Sequence, residues 1–175
     1  MNIPNAISLM RICLVPVFTA LYANGRVLQA MAVLLLSGAS DVLDGAIARR
    51  CNMVTDLGKI LDPVADKLIQ AAMMLCAAAR VPSVWLLLGL HVLREGTLAL
   101  VGLHVLRLTG RVYSAKWYGK ACTAVLYAVM ISLLAFPELP VQAANAAVLV
   151  CAALIGLCLC LYFLNFMRIL QDHTG

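Results

Sequence analysis

Long apolar segments separated by short polar turns make up most of this chain. Hydrophobic residues make up 64% of its 175 residues and charged residues only 12%, against roughly half and a quarter in soluble globular proteins. In lipid, each backbone segment must satisfy its own hydrogen bonds, so apolar segments of about 20 residues predict membrane-spanning helices. The sequence therefore predicts an all-α integral membrane protein that forms a single domain over residues 1–175.

Turn residues and charges divide the apolar sequence into six transmembrane helices. Asn24-Gly25, Pro82-Ser83 and the two prolines of segment 137–140 mark three of the turns. Polar segments after the second and fourth helices mark two more. The predicted helices cover residues 5–23, 27–49, 58–79, 84–106, 117–136 and 141–167.

The lysines and arginines set the expected orientation. They concentrate at the N-terminus, after the second and fourth helices and at the C-terminus, whereas the opposite side has only Arg26 and Arg80. By the positive-inside rule we expect a multi-pass protein of the cell (inner) membrane, with both termini and the polar stretch at residues 41–67 facing the cytoplasm. The net charge of +5 suits anionic headgroups or phosphate-bearing substrates. The basic residues are dispersed at helix ends, so nucleic acid is not an expected partner.

One polar stretch, residues 41–67, interrupts the apolar sequence and holds five of the eight acidic residues. Helical spacing places its chemistry-bearing residues on two faces. The face of the second helix carries Asp41, Asp44, Gly45 and Ala48. The face of the third helix carries, at intervals of four residues, Gly58, Asp62 and Asp66. A short loop joins these helices, so they are expected to be antiparallel neighbours on which four carboxylates converge.

Four carboxylates share a low-dielectric site only if cations neutralise them or their pKa values rise. Oxygen ligands select hard cations such as Mg²⁺, Mn²⁺ or Ca²⁺ over zinc. A pair of such ions suits displacement at phosphorus, and Arg49 at the rim can neutralise a phosphate. The same acids also fit a proton or cation relay in a transporter, or structural ion pairs with Arg94 and Lys67. Four acids at these spacings, with small residues between them, favour a functional site.

From Asp41 to Asp66 the residues follow the pattern D-x2-D-G-x2-A-R-x8-G-x3-D-x3-D. This pattern resembles the signature of the CDP-alcohol phosphatidyltransferase family, integral membrane enzymes of phospholipid synthesis, with every position filled. The resemblance implies the six-helix CDP-alcohol phosphotransferase fold and a homodimer. It also implies that an acceptor hydroxyl attacks the β-phosphorus of a CDP-linked lipid and releases CMP.

The resemblance implies a role for each residue of the signature. Asp41, Asp44 and Asp62 would be metal ligands, and Asp66 would complete a site for two Mg²⁺ (or Mn²⁺) ions and act as the base on the acceptor hydroxyl. The CDP-binding pocket would be lined by Asp44, Gly45, Ala48, Arg49, Thr55 and Gly58.

The acceptor is predicted from other segments. The opening NIPNAISLMR, the run LDPVADK, Arg94-Glu95 and Gly119-Lys120 resemble the branch of the family that uses glycerol 3-phosphate. The expected partners are CDP-diacylglycerol, glycerol 3-phosphate and membrane lipids, with the acceptor phosphate held by Arg94, Lys116 and Lys120. Cys122 stands where this branch commonly has a second lysine. Phosphatidylglycerol, inositol phosphate and serine therefore remain alternative acceptors.

Two hypotheses of a different class are open at this point. The carboxylates fit a small cation or proton-coupled carrier, although a carrier has no need of the interleaved Gly-x2-Ala-Arg. A non-catalytic membrane assembly subunit is the weaker hypothesis, because it has no need of a base at Asp66.

Overall fold

The computed structural model of the protein describes residues 3–50, 56–109 and 117–174. Side chains are described for all of these except 3–5, 41–50, 56–57, 59–60, 108–109 and 168–174. The described residues form six helices and no strand: α1 (Ile3–Ala23), α2 (Val27–Arg50), α3 (Asp56–Ala78), α4 (Val84–Thr109), α5 (Trp117–Ala135) and α6 (Val141–Thr174). The prediction of an all-α protein with six helices is confirmed.

The helices differ from the sequence prediction mainly at two ends. Helix α6 continues past the predicted end at residue 167 to Thr174, because no glycine or proline interrupts the segment after the last apolar residues. Asp56, which the sequence prediction left in the loop before the third helix, is the first residue of α3. The positive end of the helix dipole stabilises an acidic residue at such a position. The predicted turn after α1 is present, and Gly25 adopts a φ of 72°, which glycine reaches without strain.

Four of the described helices are long and apolar enough to cross a membrane. The spans are Ala6–Ala23, Val84–Arg107, Trp117–Ala135 and Val141–Met167. In α2 the apolar segment found among the described side chains is shorter, Val27–Ser40. The protein is therefore membrane-embedded, and crossings by α2 and α3 stay a prediction.

The chain forms two compact units, of which unit 1 comprises Met1–Arg80 and Met130–Pro137. In unit 1, α1 packs against both α2 and α3. Phe18 of α1 and the consecutive residues Met73 and Met74 of α3 are almost completely buried, as expected of the large residues of a helix-packing core. Helix α1 thus links the two helices that carry the signature.

Arg80 connects the end of α3 to the end of α5 within unit 1. Its Nη1 donates to the carbonyl oxygens of Leu133 (3.2 Å) and Phe136 (3.4 Å). The last carbonyls of a helix have no partner inside the helix, and a cation there also suits the helix dipole. Arg80 therefore caps α5 besides contributing a charge.

Unit 2 comprises Val81–Val129 and Glu138–Gly175, and in it α4 packs against α6. The Ser83 hydroxyl, in the turn before α4, donates to Oδ1 of Asn145 in α6 at 2.6 Å. This hydrogen bond links the start of α4 to the start of α6. Unit 2 holds the predicted acceptor residues, whereas the whole signature lies in unit 1.

Candidate active site

The structure assigns the signature residues to α2 and α3, the two predicted helices. Helix α2 contains Asp41, Asp44, Gly45, Ala48 and Arg49, whose side chains lie outside the described part of the structure. Two further predicted site residues, Thr55 and Lys116, lie outside the described residues altogether. The site can therefore be described from α3 and from what packs on it.

Asp62 is held by two residues of α1. The Ser8 hydroxyl donates to Asp62 Oδ1 at 2.5 Å, and Nη2 of Arg11 donates to the same oxygen at 3.0 Å. Ser8 and Arg11 are 0% and 4% exposed, whereas the Asp62 side chain is 47% exposed. A buried arginine requires a counter-charge, and Asp62 supplies one.

Asp66 is supported from within α3. Gln70 Nε2 donates to Asp66 Oδ2 at 3.1 Å, and both Gln70 and Gly58 are buried. Gln70 continues the four-residue spacing of Gly58, Asp62 and Asp66 by one more turn, so it belongs to the same helix face. The predicted base thus has a buried amide donor that fixes the orientation of its carboxylate.

Sequence reasoning did not assign roles to Ser8 and Gln70, although both carried a signal. Gln70 extends an interval that the signature already used. Ser8 and Arg11 are polar residues one turn apart in a mostly apolar helix, and lipid does not satisfy such groups. That pattern indicates an inward-facing pair, but it does not identify the partner.

The described donors fit a hard divalent cation. Among the described side chains no group of three His, Cys, Asp or Glu residues could hold a metal ion, since two of the four predicted ligands lie outside that part of the chain. Asp62 nevertheless has one oxygen, Oδ2, that accepts no hydrogen bond from the described residues. A carboxylate oxygen is the donor that Mg²⁺ and Mn²⁺ prefer.

Arg94, a predicted acceptor residue, connects α4 to α5 in unit 2. Its side chain is only 3% exposed and lies 3.5 Å from a carboxylate oxygen of Glu95. Nη2 donates to the carbonyl oxygen of Gly119 at 3.0 Å, and Nη1 donates to the Thr123 hydroxyl at 3.3 Å. Arg94 therefore anchors the first turns of α5. Lys120, in the same turns, is exposed.

At Gly119 a side chain of α6 lies close to the backbone of α5. A Cβ atom at this position would collide with the hydroxyl of Tyr162, and the ring carbon behind that hydroxyl would be 3.1 Å away. The Tyr162 ring also packs edge-to-face against Tyr118, with the ring centroids 4.8 Å apart. Only glycine fits here without a shift of the Tyr162 side chain.

The sequence matches the CDP-alcohol phosphatidyltransferase family model over residues 1–162. The chain belongs to the CDP-alcohol phosphatidyltransferase family. The resemblance predicted from the signature is thereby confirmed. Membership of this family of transferases also favours transfer chemistry over the cation carrier and the assembly subunit.

Several curated relatives are named CDP-diacylglycerol–glycerol-3-phosphate 3-phosphatidyltransferase. The Escherichia coli (strain K12) protein is 30% identical over 173 residues, covering 95% of each chain. The Bacillus subtilis (strain 168) protein is 34% identical over 151 residues, covering 76% of this chain and 77% of the relative. The Pseudomonas fluorescens protein is 40% identical over 91 residues, and that match spans about half of it (47%) and 50% of this chain.

Proposed function

We propose that this protein transfers the phosphatidyl group of CDP-diacylglycerol to a hydroxyl of glycerol 3-phosphate and releases CMP. The observation that carries the proposal is the match, over nearly the whole chain, to relatives named for this reaction. The complete signature in unit 1 supports the same conclusion. The acceptor oxygen forms a bond to the β-phosphorus of the CDP-lipid, and the bond from that phosphorus to the oxygen of CMP breaks.

Asp66 is the group that takes the proton of the acceptor hydroxyl. A carboxylate beside a reacting hydroxyl acts as a general base, and such groups contribute rate factors of about 10²–10⁴. The hydrogen bond from Gln70 keeps the Asp66 carboxylate in one orientation, which favours proton transfer at a fixed position. The Asp66 side chain is neither fully buried nor exposed, as suits a group that meets a water-soluble acceptor.

Asp62, together with Asp41, Asp44 and Asp66, would hold two Mg²⁺ or Mn²⁺ ions. When bound, such ions neutralise the phosphates and stabilise the charge that develops on the leaving group. Asp62 contributes a carboxylate that Ser8 and Arg11 hold in place. Asp44, Gly45, Ala48, Arg49, Thr55 and Gly58 would form the pocket for CDP.

The acceptor phosphate would be bound by Arg94, Lys116 and Lys120. Arginine and lysine form charge-assisted hydrogen bonds with phosphate oxygens. We place both termini and the site on the cytoplasmic side of the inner membrane, because the basic segments concentrate there. We also propose a homodimer, as the family resemblance implies.

Release of CMP by the purified protein tests the reaction and the acceptor together. The protein in detergent, supplied with CDP-diacylglycerol and Mg²⁺, should release CMP with glycerol 3-phosphate but not with serine, inositol phosphate or phosphatidylglycerol. A chelator should stop the release. Asp66→Asn should lower kcat by about 100-fold or more, whereas Asp56→Asn, on the same helix but outside the signature, should leave it unchanged.

Two results would contradict the proposal. Release with serine, inositol phosphate or phosphatidylglycerol alone would keep the chemistry and replace the acceptor. Normal activity of Asp66→Asn would exclude Asp66 as the base.

A further inference from the structure

Two side chains of α1 converge on a single oxygen of Asp62. Ser8 and Arg11 are three residues apart on α1, so both lie on the same helix face. Both donate to Oδ1 of Asp62, at 2.5 and 3.0 Å, across a separation of more than 50 residues in sequence. Helix packing between α1 and α3 therefore determines where this carboxylate lies.

The two carboxylate oxygens of Asp62 differ in the hydrogen bonds that they accept. Oδ1 accepts both hydrogen bonds, whereas Oδ2 accepts none from the described residues. A carboxylate with two donors on one oxygen has little freedom to rotate, and a charge-assisted bond from arginine is among the stronger hydrogen bonds. Oδ2 is thereby kept in a fixed position.

Burial distinguishes this arrangement from an incidental surface ion pair. Ser8 is fully buried and Arg11 is 4% exposed, so water does not replace these donors easily. Asp62 is 47% exposed, so the carboxylate is anchored from the protein side and open on the other.

We propose that Ser8 and Arg11 are positioning residues that hold Oδ1 of Asp62 so that Oδ2 is presented to the divalent cation. This inference rests on the proposed function, because it takes Asp62 to be a metal ligand. Groups that hydrogen-bond a metal ligand fix its orientation, and their loss typically lowers metal affinity about 10–100-fold. Ser8 is the more informative of the two, because its removal changes no charge.

Binding of Mn²⁺ to the purified full-length protein in detergent, followed by electron paramagnetic resonance of the free ion, tests the inference without activity. Ser8→Ala should raise the Kd for Mn²⁺ by about 10-fold. Ser8→Thr keeps the hydroxyl and should stay within about twofold of the wild type. The matched control is Thr19→Ala, because among the described residues the Thr19 hydroxyl bonds carbonyls of its own helix, those of Val15 and Pro16.

Arg11→Lys gives a second, independent variant if Ser8→Ala does not fold. It keeps the positive charge but loses the planar guanidinium, so the Kd for Mn²⁺ should again rise. An unchanged Kd in a folded Ser8→Ala or Arg11→Lys protein would overturn the inference and leave both residues with a packing role. Wild-type protein that binds no Mn²⁺ would also overturn it.

The test separates this inference from the proposed function. Protein that releases CMP with glycerol 3-phosphate, but whose Ser8→Ala variant binds Mn²⁺ normally, refutes only the positioning role. Protein that shows the expected shift in Kd, yet releases no CMP with any acceptor, refutes only the proposed reaction.

Discussion

At the scale of the residue, Gly119 shows how one missing side chain fixes a helix contact. Arg94 binds the carbonyl oxygen of Gly119, and Tyr162 occupies the space that a Cβ atom would take. The backbone of α5 is thus held from α4 on one side and packed by α6 on the other. Lys120 is the next residue, so this contact also determines the position of the Lys120 backbone.

We therefore expect Gly119→Ala to destabilise the protein, because the added methyl group meets the Tyr162 hydroxyl. Overpacking of this kind typically costs about 1–3 kcal/mol. Adding Tyr162→Phe removes the hydroxyl and should restore part of the stability. The rescue should be incomplete, because the nearest ring carbon is still only 3.1 Å from the Cβ position. Thermal unfolding in detergent of the single and double variants measures both effects.

The matched control for Gly119 is another helical glycine. Gly96 and Gly102 in α4 have no atom within 4 Å of a Cβ position, and alanine favours a helix over glycine by about 1 kcal/mol. Gly96→Ala should leave the apparent Tm unchanged or raise it slightly. A Gly119→Ala protein with the same Tm as Gly96→Ala would refute the close packing of Tyr162.

The residues around Asp62 show where sequence reasoning reaches its limit. The spacing of Asp62, Asp66 and Gln70 is local, so one helix with 3.6 residues per turn predicts that they share a face. The bond from Ser8 to Asp62 depends on the rotation of α1 against α3, which spacing within either helix does not fix. The signature therefore identified the carboxylates but not the side chains that hold them.

At the scale of the element, the helix ends near turn residues were the most predictable. Gly25 and the prolines of segment 137–140 end or precede helices as expected, because each changes the backbone torsions that a helix allows. The end of α6 was missed, since the prediction followed apolar character. A helix can continue into polar sequence when no residue interrupts it.

Arg94 carries the element-scale prediction, because it connects α4 to α5. Arg94→Ala removes two hydrogen bonds of a buried cation, and such bonds contribute about 1.5–3 kcal/mol each. The apparent Tm in detergent should fall by about 5 °C or more. Arg107→Ala, at an exposed position of α4, should change the Tm little.

The kinetics of the same variant separate the two roles of Arg94. If Arg94 only bound the acceptor phosphate, Arg94→Ala would raise the KM for glycerol 3-phosphate and leave the Tm unchanged. A lower Tm with a normal KM would instead assign Arg94 to anchoring α5 alone, and the acceptor phosphate would need another partner. We expect both quantities to change.

At the scale of the whole molecule, three hydrogen bonds, each within one unit, agree with the predicted six alternating crossings. Arg80 joins the ends of α3 and α5, and Ser83 with Asn145 joins the starts of α4 and α6. If every helix crosses the membrane and the N-terminus is cytoplasmic, all four of these helix ends lie on the outer side. Each bond links helix ends that this topology brings to one surface. In this topology the capping role of Arg80 would explain an arginine on the side that carries few cations.

The topology predicts which positions an impermeant reagent can reach. In a variant without the native cysteines, a single cysteine at Asn24 or Glu138 should react with an impermeant maleimide in intact cells, because the proposed topology places both turns outside. A cysteine at Asp172 should react only after the membrane is opened. Each variant must also release CMP, which shows that the labelled protein is folded.

The opposite labelling pattern would invert the orientation, and labelling of Asn24 but not of Glu138 would mean that the number of crossings between them is odd. In either case the proposed cytoplasmic placement of the site would have to be derived again. The proposed substrates would have to reach the proposed base, Asp66, from the side on which the second loop lies.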